Sequence, residues 1–334
     1  MNQTGLGLAI IGCGSATPQG IITNDHLTTL VDTSDEWIST RTGIRSRRVI
    51  SETESLGQLA HQAAIAALEM AKITPMDLDL IILATSTPDD LFGSANQIQA
   101  SLGATHAVAF DLTAACSGFV FGLVTAAQFM RTGVYRRVLL IGADTLSRWV
   151  DWSDRGTCIL FGDGAGAIVL EQRSADQPDQ LLGFELRSDG SQRQDLTLGY
   201  QSQPQSPSPD ITVQQGGYTK VFMNGKEVYK FAVQKVPEII EKALFRANIT
   251  VDQVDWLLLH QANQRILDAV GDRLKIPHNK IISNLHDYGN TSAASIPLAL
   301  DEAVRSGKIK PGDVIATAGF GAGLTWGAAI FRWG

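Results

Sequence analysis

Short, wholly apolar runs recur along the chain, each followed by a longer stretch with helical spacing. "DLDLIILAT" (77–85) and "DQVDWLLLHQ" (252–261) open on acidic turns and continue as apolar runs, the pattern of a strand buried on both faces. "DLTAACSGFVFGLVTAAQFMRTG" (111–133) and "LHDYGNTSAASIPLALDEAVRSG" (285–307) each read as a small-residue turn, a helix and a basic-x-Gly stop. "RRVLLIGAD" (136–144) then matches "GDVIATAGF" (312–320). The basic residues of the stops, Arg131 and Arg305, are 174 residues apart, and Val138 and Val314 are 176 apart. A duplicated α/β unit is expected.

Buried strands alternating with helices predict parallel βαβ pairing, with helices on the sheet faces. The halves, 1–175 and 176–334, are expected to meet near "QRSADQPDQLL" (172–182). The Pro/Ser/Gln-rich stretch 198–217 reads as an exposed loop in the second half. "GCGSATP" (12–18) and "FGDGAGAIVL" (161–170) lack the strand-to-helix context of a nucleotide fingerprint, and read as tight turns and close strand packing.

Composition narrows the function. With 334 residues, 44% hydrophobic and 18% charged, the chain can bury a large core. A net charge of −7 disfavours nucleic acid as a partner. No apolar run reaches the roughly 18 residues of a membrane span, and no Lys or Arg precedes Arg41, so a cytosolic, membrane-free protein is expected. Three cysteines without a C-x-x-C or a Cys/His cluster argue against a disulfide framework or a metal site, and each thiol must be judged alone.

An offset of 174 residues maps Cys116 onto Asn290, so equivalent turns of the two halves would bring them together. His260 closes the strand "WLLLH", at the carboxyl edge where open α/β sheets place ligand sites. A helix N-terminus favours a thiolate, which makes Cys116 the candidate nucleophile. Cys13 and Cys158 read as packing residues, and the other five histidines as surface or capping groups. Asn cannot exchange protons at neutral pH, so Asn290 beside a neutral His260 forms a pair of donors for a developing enolate.

"TAACSGF", "HQAN", "HDYGNTSAAS" and "GFGAGLTWGAAIF" together resemble the β-ketoacyl-acyl-carrier-protein synthase III family of the thiolase superfamily, through nearly the whole chain. The resemblance implies a thiolase-like, duplicated αβαβα layered fold with two five-stranded mixed sheets, a homodimer, and initiation of fatty-acid synthesis without a cofactor. It implies that Cys116 is acylated by an acyl-CoA, usually acetyl-CoA. His260 and Asn290 then stabilise the enolate left when malonyl carrier protein loses CO2. The backbone N–H groups of Cys116 and Ala322 would form the oxyanion hole, with alanine standing where relatives commonly carry glycine. Trp37, Arg41, Arg155 and Asn263 would contact CoA, and Phe92 would cross the dimer interface and limit the acyl pocket. Lys230, Arg265 and Arg273 would attract the acidic acyl carrier protein; Asp272 departs from the family pattern there, and Lys226 stands where relatives carry an amide that touches CoA. The basic segment "RTGIRSRR" (41–48) fits the same phosphate-rich surroundings.

Three other readings compete: a related synthase using another starter or extender, a cysteine hydrolase built on "AACSG", and a catalytically silent binding module.

Overall fold

The computed structural model describes residues 6–334. Its first five-stranded sheet holds β1 (Leu8–Ala16), β2 (Leu80–Ala84), β3 (Val108–Leu112), β4 (Arg137–Thr145) and β5 (Asp163–Gln172), in the order β1-β5-β4-β2-β3. The second holds β6 (Leu181–Ser188), β7 (Trp256–Leu259), β8 (Ile281–Ile282), β9 (Val314–Gly321) and β10 (Thr325–Arg332), in the order β6-β10-β9-β7-β8. The two sheets are copies of one plan. In each, the second strand lies parallel to the third and fourth. The first and fifth strands pair antiparallel. Parallel pairing, expected from the alternation, therefore holds only where a helix provides the crossover; β4 and β5 have no such helix between them and run in opposite senses.

Helix α1 (Asp35–Thr42) sits in an outlying arm with the hairpin Gly20–Thr23 and Ser46–Val49. Helices α2 (Leu56–Ala71) and α3 (Ala95–Leu102) cover the outer face of the first sheet. Helix α4 (Gly118–Arg131) lies between the two sheets. Helices α5 (Gly225–Ala247) and α6 (Gln264–Leu274) cover the second sheet, and α7 (Ser295–Arg305) joins α4 in the central layer. The result is five layers, αβαβα.

Alternation along each strand divides the core. Leu80 and Ile82 of β2 face the central helices, while Ile81 and Leu83 pack under α2 and α3. In β7, Leu258 faces the centre and Leu257 and Leu259 the outer helices. Both faces are dry, which is why these strands read as continuous apolar runs.

Both glycine-rich stretches differ from their reading as turns, for they lie within β1 and β5. A Cβ on Gly14 would come 2.4 Å from the Ala63 carbonyl of α2, and one on Gly166 would come 2.6 Å from the Leu298 nitrogen of α7. Close packing is their role, strand against helix backbone. The stretch 198–217 is exposed as expected, yet it is ordered as a β-ribbon, Tyr200–Ser208 paired with Ile211–Tyr218. Tyr200 and Tyr218 hold its base edge to face, 5.7 Å apart. Among the described residues no helix is long and apolar enough to cross a membrane.

Candidate active site

After β3 the chain turns through Thr113–Ala115 and enters a one-turn 3₁₀ segment, Ala115–Ser117, before α4 begins. Ala115 is left-handed (φ 46°), which costs an L residue about 1 kcal/mol and aims the following residue inward. Cys116 is 7% exposed and lines a cavity of about 1390 Å³ together with Thr87, Phe161, Ser292 and Ala322.

The second half repeats this turn at Ser292–Ala294, with Ser292 left-handed (φ 52°) ahead of α7. By shape, then, Cys116 corresponds to Ala293 and not to Asn290, which lies three residues earlier. The 174-residue mapping is displaced because α7 has 11 residues and α4 has 14, so aligning the two basic-x-Gly stops shifts everything before the helices. The turns still meet. A Cβ on Gly118 would lie 3.7 Å from that of Ala293, and Gly142 of β4 leaves room for the Ala293 carbonyl, which a Cβ would meet at 2.2 Å.

Hydrogen bonds tie the three polar groups to this crossing. The Ser292 hydroxyl donates to the Cys116 sulfur (3.2 Å), and the Ser292 N–H donates to Asn290 Oδ1 (2.9 Å). With its oxygen engaged, the Asn290 carboxamide offers its NH2 as a donor. The Asn290 backbone is clamped by the segment leading into β5: its N–H donates to the Leu160 carbonyl (2.8 Å) and its carbonyl accepts from Gly162 (3.0 Å). His260 extends β7, donating its N–H to the Ala318 carbonyl (2.8 Å). Its ring packs edge-on to Phe320, 5.3 Å between centroids. The glycines on either side of Phe320 touch Cys116: a Cβ on Gly319 would lie 3.3 Å from the Cys116 carbonyl, and one on Gly321 2.6 Å from its nitrogen.

Ser295, which the sequence reading passed over, orients the imidazole. Its hydroxyl lies 2.7 Å from His260 Nδ1 and accepts the Gln261 N–H at 3.3 Å. Assigning the hydroxyl as donor to Nδ1 places the imidazole proton on Nε2, making that atom a donor. Burial lowers the His260 pKa to about 3, so the ring is neutral throughout the physiological range.

The thiol corrects an expectation. Burial pushes Cys116 up to about 12; the Ser292 hydrogen bond opposes this, and the nearby Asp144 carboxyl adds to it. Burial outweighs the hydrogen bonds to the sulfur and favours the thiol over the thiolate. Asp144 also escaped the sequence reading, although a carboxyl closing the apolar run "VLLIGAD" was its signal. Fully buried and raised in pKa by that burial, it accepts from the Ser86 N–H (2.8 Å), the Thr87 hydroxyl (3.0 Å) and the Ala293 N–H (3.2 Å), joining the loop after β2 to the turn of the second half.

The remaining candidates lie further out. Trp37 stands among Arg41 and Arg155, whose guanidinium carbons are 4.4 and 4.7 Å from its ring centroid. Asn263 caps α6 by accepting the Arg265 N–H (2.9 Å) and donates to the Arg41 carbonyl (3.1 Å), so these four residues form one cluster. The basic segment is not all surface: Arg47 alternates inward on its strand and is 0% exposed. Ala322 lines the cavity and is not among the left-handed residues, so alanine carries no backbone strain there. Phe92 is 95% exposed and is among the residues lining the cavity. Lys230, Arg265 and Arg273 all lie on the packed pair α5 and α6. Lys230 pairs with Glu227 (2.8 Å), Arg273 with Glu238 (3.7 Å), and Arg265 lies over Tyr229 (5.3 Å). Asp272 is paired with His278 (2.9 Å).

Two family profiles match the chain, 3-oxoacyl-(acyl-carrier-protein) synthase III over residues 110–190 and its C-terminal part over residues 244–333. The β-ketoacyl-(acyl-carrier-protein) synthase III of Trichormus variabilis is 71% identical over 98% of this chain and 99% of the relative. The crystal structure of 3-oxoacyl-(acyl-carrier-protein) synthase III from Aquifex aeolicus is similar with a TM-score of 0.89 at 44% identity, covering 98% of this chain and 100% of that one. A priming β-ketosynthase of a polyketide pathway is similar at the same TM-score, 0.89, with 35% identity over 98% of this chain and 97% of that one. Matched at both ends and across both halves, the chain belongs to the β-ketoacyl-acyl-carrier-protein synthase III family, acyltransferases of thiolase-like fold that condense acyl groups in fatty-acid synthesis.

Proposed function

We propose that this protein joins an acetyl group from acetyl-CoA to malonyl carrier protein through an acyl-Cys116 intermediate. The observation that carries the reading is a buried thiol lining a large cavity, hydrogen-bonded by the turn that bears Asn290. In the first half-reaction the Cys116 sulfur attacks the thioester carbonyl, whose oxygen is held by the Cys116 and Ala322 N–H groups. The carbon–sulfur bond to CoA breaks, and the proton lost by Cys116 leaves with the CoA thiol. In the second, the malonyl carboxylate departs as CO2, and the negative charge moves to the thioester oxygen, between the donors His260 Nε2 and Asn290 Nδ2. The enolate carbon attacks the acyl-enzyme, and the expelled sulfur takes a proton from solvent. At pKa about 12 its return to the thiol is strongly favoured.

Trp37, Arg41, Arg155 and Asn263 are the CoA contacts in this reading, adenine displacing a guanidinium from the indole face. Lys230, Arg265 and Arg273 receive the carrier protein. A second copy covers the exposed Phe92, and the pair works in the cytoplasm on thioester substrates, with no resident cofactor.

Purified protein given acetyl-CoA and malonyl carrier protein should release CO2 and acetoacetyl carrier protein, with a 1:1 acetyl adduct on Cys116 by mass spectrometry. Cys116→Ser should lose acylation and retain some decarboxylation. His260→Ala and Asn290→Ala should acylate normally and lose about 10²- to 10³-fold in decarboxylation. Steady release of acetate without condensation would establish a hydrolase instead, and acceptance of only free CoA extenders would establish a different synthase.

A further inference from the structure

Among the described residues, Arg47 is the largest side chain wholly out of solvent. None of the ion pairs among the described residues includes it. Its Nη1 donates to the Ile22 carbonyl (3.1 Å), and its Nη2 to Asn24 Oδ1 (2.9 Å) and the Ile159 carbonyl (2.7 Å). Its Nε–H is buried without an acceptor. The nearest route to a carboxylate is indirect, from Asn24 Nδ2 to Asp35 (2.7 Å). A buried guanidinium held by carbonyls alone is expensive, and an apolar side chain of the same length would fill the space without that cost. What the guanidinium supplies is three directed bonds.

One of those bonds, to the Ile159 carbonyl, ends beside the segment that clamps Asn290, and the other two hold the Ile22–Asn24 stretch. Ile159 precedes Leu160, whose carbonyl accepts the Asn290 N–H, and Gly162 donates to the Asn290 carbonyl. The Arg47 Cβ lies 3.3 Å from the Cβ positions of Gly162 and Gly289, the residue before Asn290. At both glycines a side chain would strike backbone, the Tyr288 carbonyl at 2.2 Å and the Leu160 carbonyl at 2.6 Å. The two segments therefore cross without side chains to key them together, and Arg47 is the group wedged beneath the crossing. We infer that Arg47 is a positioning residue for Asn290, tying the Ile159–Gly162 clamp to the outlying hairpin and so holding the carboxamide in place for decarboxylation. This rests on the role of Asn290 proposed above.

The test separates half-reactions. In folded Arg47→Lys and Arg47→Met, malonyl carrier protein decarboxylation should fall about 10- to 100-fold, as for a small misplacement of a reacting group. Acetylation of Cys116 by acetyl-CoA should be unchanged. In an Asn290→Ala background, Arg47→Lys should cause no further loss, because it acts through the missing carboxamide. Should Arg47→Met fail to fold, Arg47→Lys and Asn24→Ala, which removes one acceptor, carry the comparison. An equal fall of both half-reactions, an undiminished decarboxylation in folded variants, or a full additional loss in the Asn290→Ala background would overturn the proposal. Retained decarboxylation in Asn290→Ala alone would overturn the underlying role of Asn290, whatever Arg47 does.

Discussion

The hydroxyl of Ser292 donates to the sulfur of Cys116 across 3.2 Å, so the turn of one half directly solvates the thiol of the other. A donor favours the thiolate over the thiol, and a hydrogen bond to a charged acceptor is worth about 1.5–3 kcal/mol. Ser292→Ala should thus raise the pH at which Cys116 reacts with iodoacetamide and slow alkylation at pH 8 by about tenfold or more. Alanine shares the left-handed strain of serine at φ 52°, so the comparison isolates the hydroxyl. An unchanged alkylation profile would mean that Ser292 does not stabilise the anion.

His260 gives a pH dependence to stability. Its folded pKa of about 3 lies below the unfolded value of 6.5. Between these values the unfolded chain holds a proton that the folded chain lacks, so stability is fully present above pH 6.5 and declines as pH falls towards 3. The slope from this one group is up to about 1.4 kcal/mol per pH unit. Buried Asp144 and Asp163 have raised pKa values and act in the opposite sense. The measurement is therefore a difference: urea midpoints of the parent and of His260→Gln, from pH 7 to pH 4.5, should converge as the parent loses its advantage. Parallel curves would show that the ring is not buried neutral.

Gly321 sets the distance between the end of β9 and the nucleophile. A Cβ there would lie 2.6 Å from the Cys116 nitrogen and 3.1 Å from its Cβ, and neither backbone can move cheaply. Gly321→Ala should destabilise the fold by about 1–3 kcal/mol as an overpacked site. It should also slow Cys116 acetylation, read by mass spectrometry in the folded protein. A variant with parental melting temperature and acylation rate would show that the two backbones have slack.

On the α5–α6 surface, Lys230 and Arg273 already face carboxylates, whereas Arg265 lies over Tyr229 and is in no ion pair among the described residues. If this face receives an acidic carrier, Arg265→Glu should raise KM for malonyl carrier protein more than Lys230→Glu does. Added salt should shrink the difference, while acylation by acetyl-CoA stays constant. Equal effects from the two variants would indicate a diffuse field and no privileged contact.

Repetition was legible in the chain because a strand buried on both faces must be apolar at every position, and helices between such strands must carry stops. Those local demands revealed two α/β halves and marked Cys116, His260 and Asn290 at strand ends and helix starts. Three-dimensional packing decided the rest. The true register between halves depended on a helix three residues shorter in the second, which a comparison of its ends cannot reveal. The charge state of Cys116 depended on burial, a property of everything packed around it and not of the helix that follows it. Ser295, Asp144 and Arg47 gained their meaning only where chain segments 35 to 149 residues apart closed over them, since a hydrogen bond between distant segments leaves no periodicity in sequence.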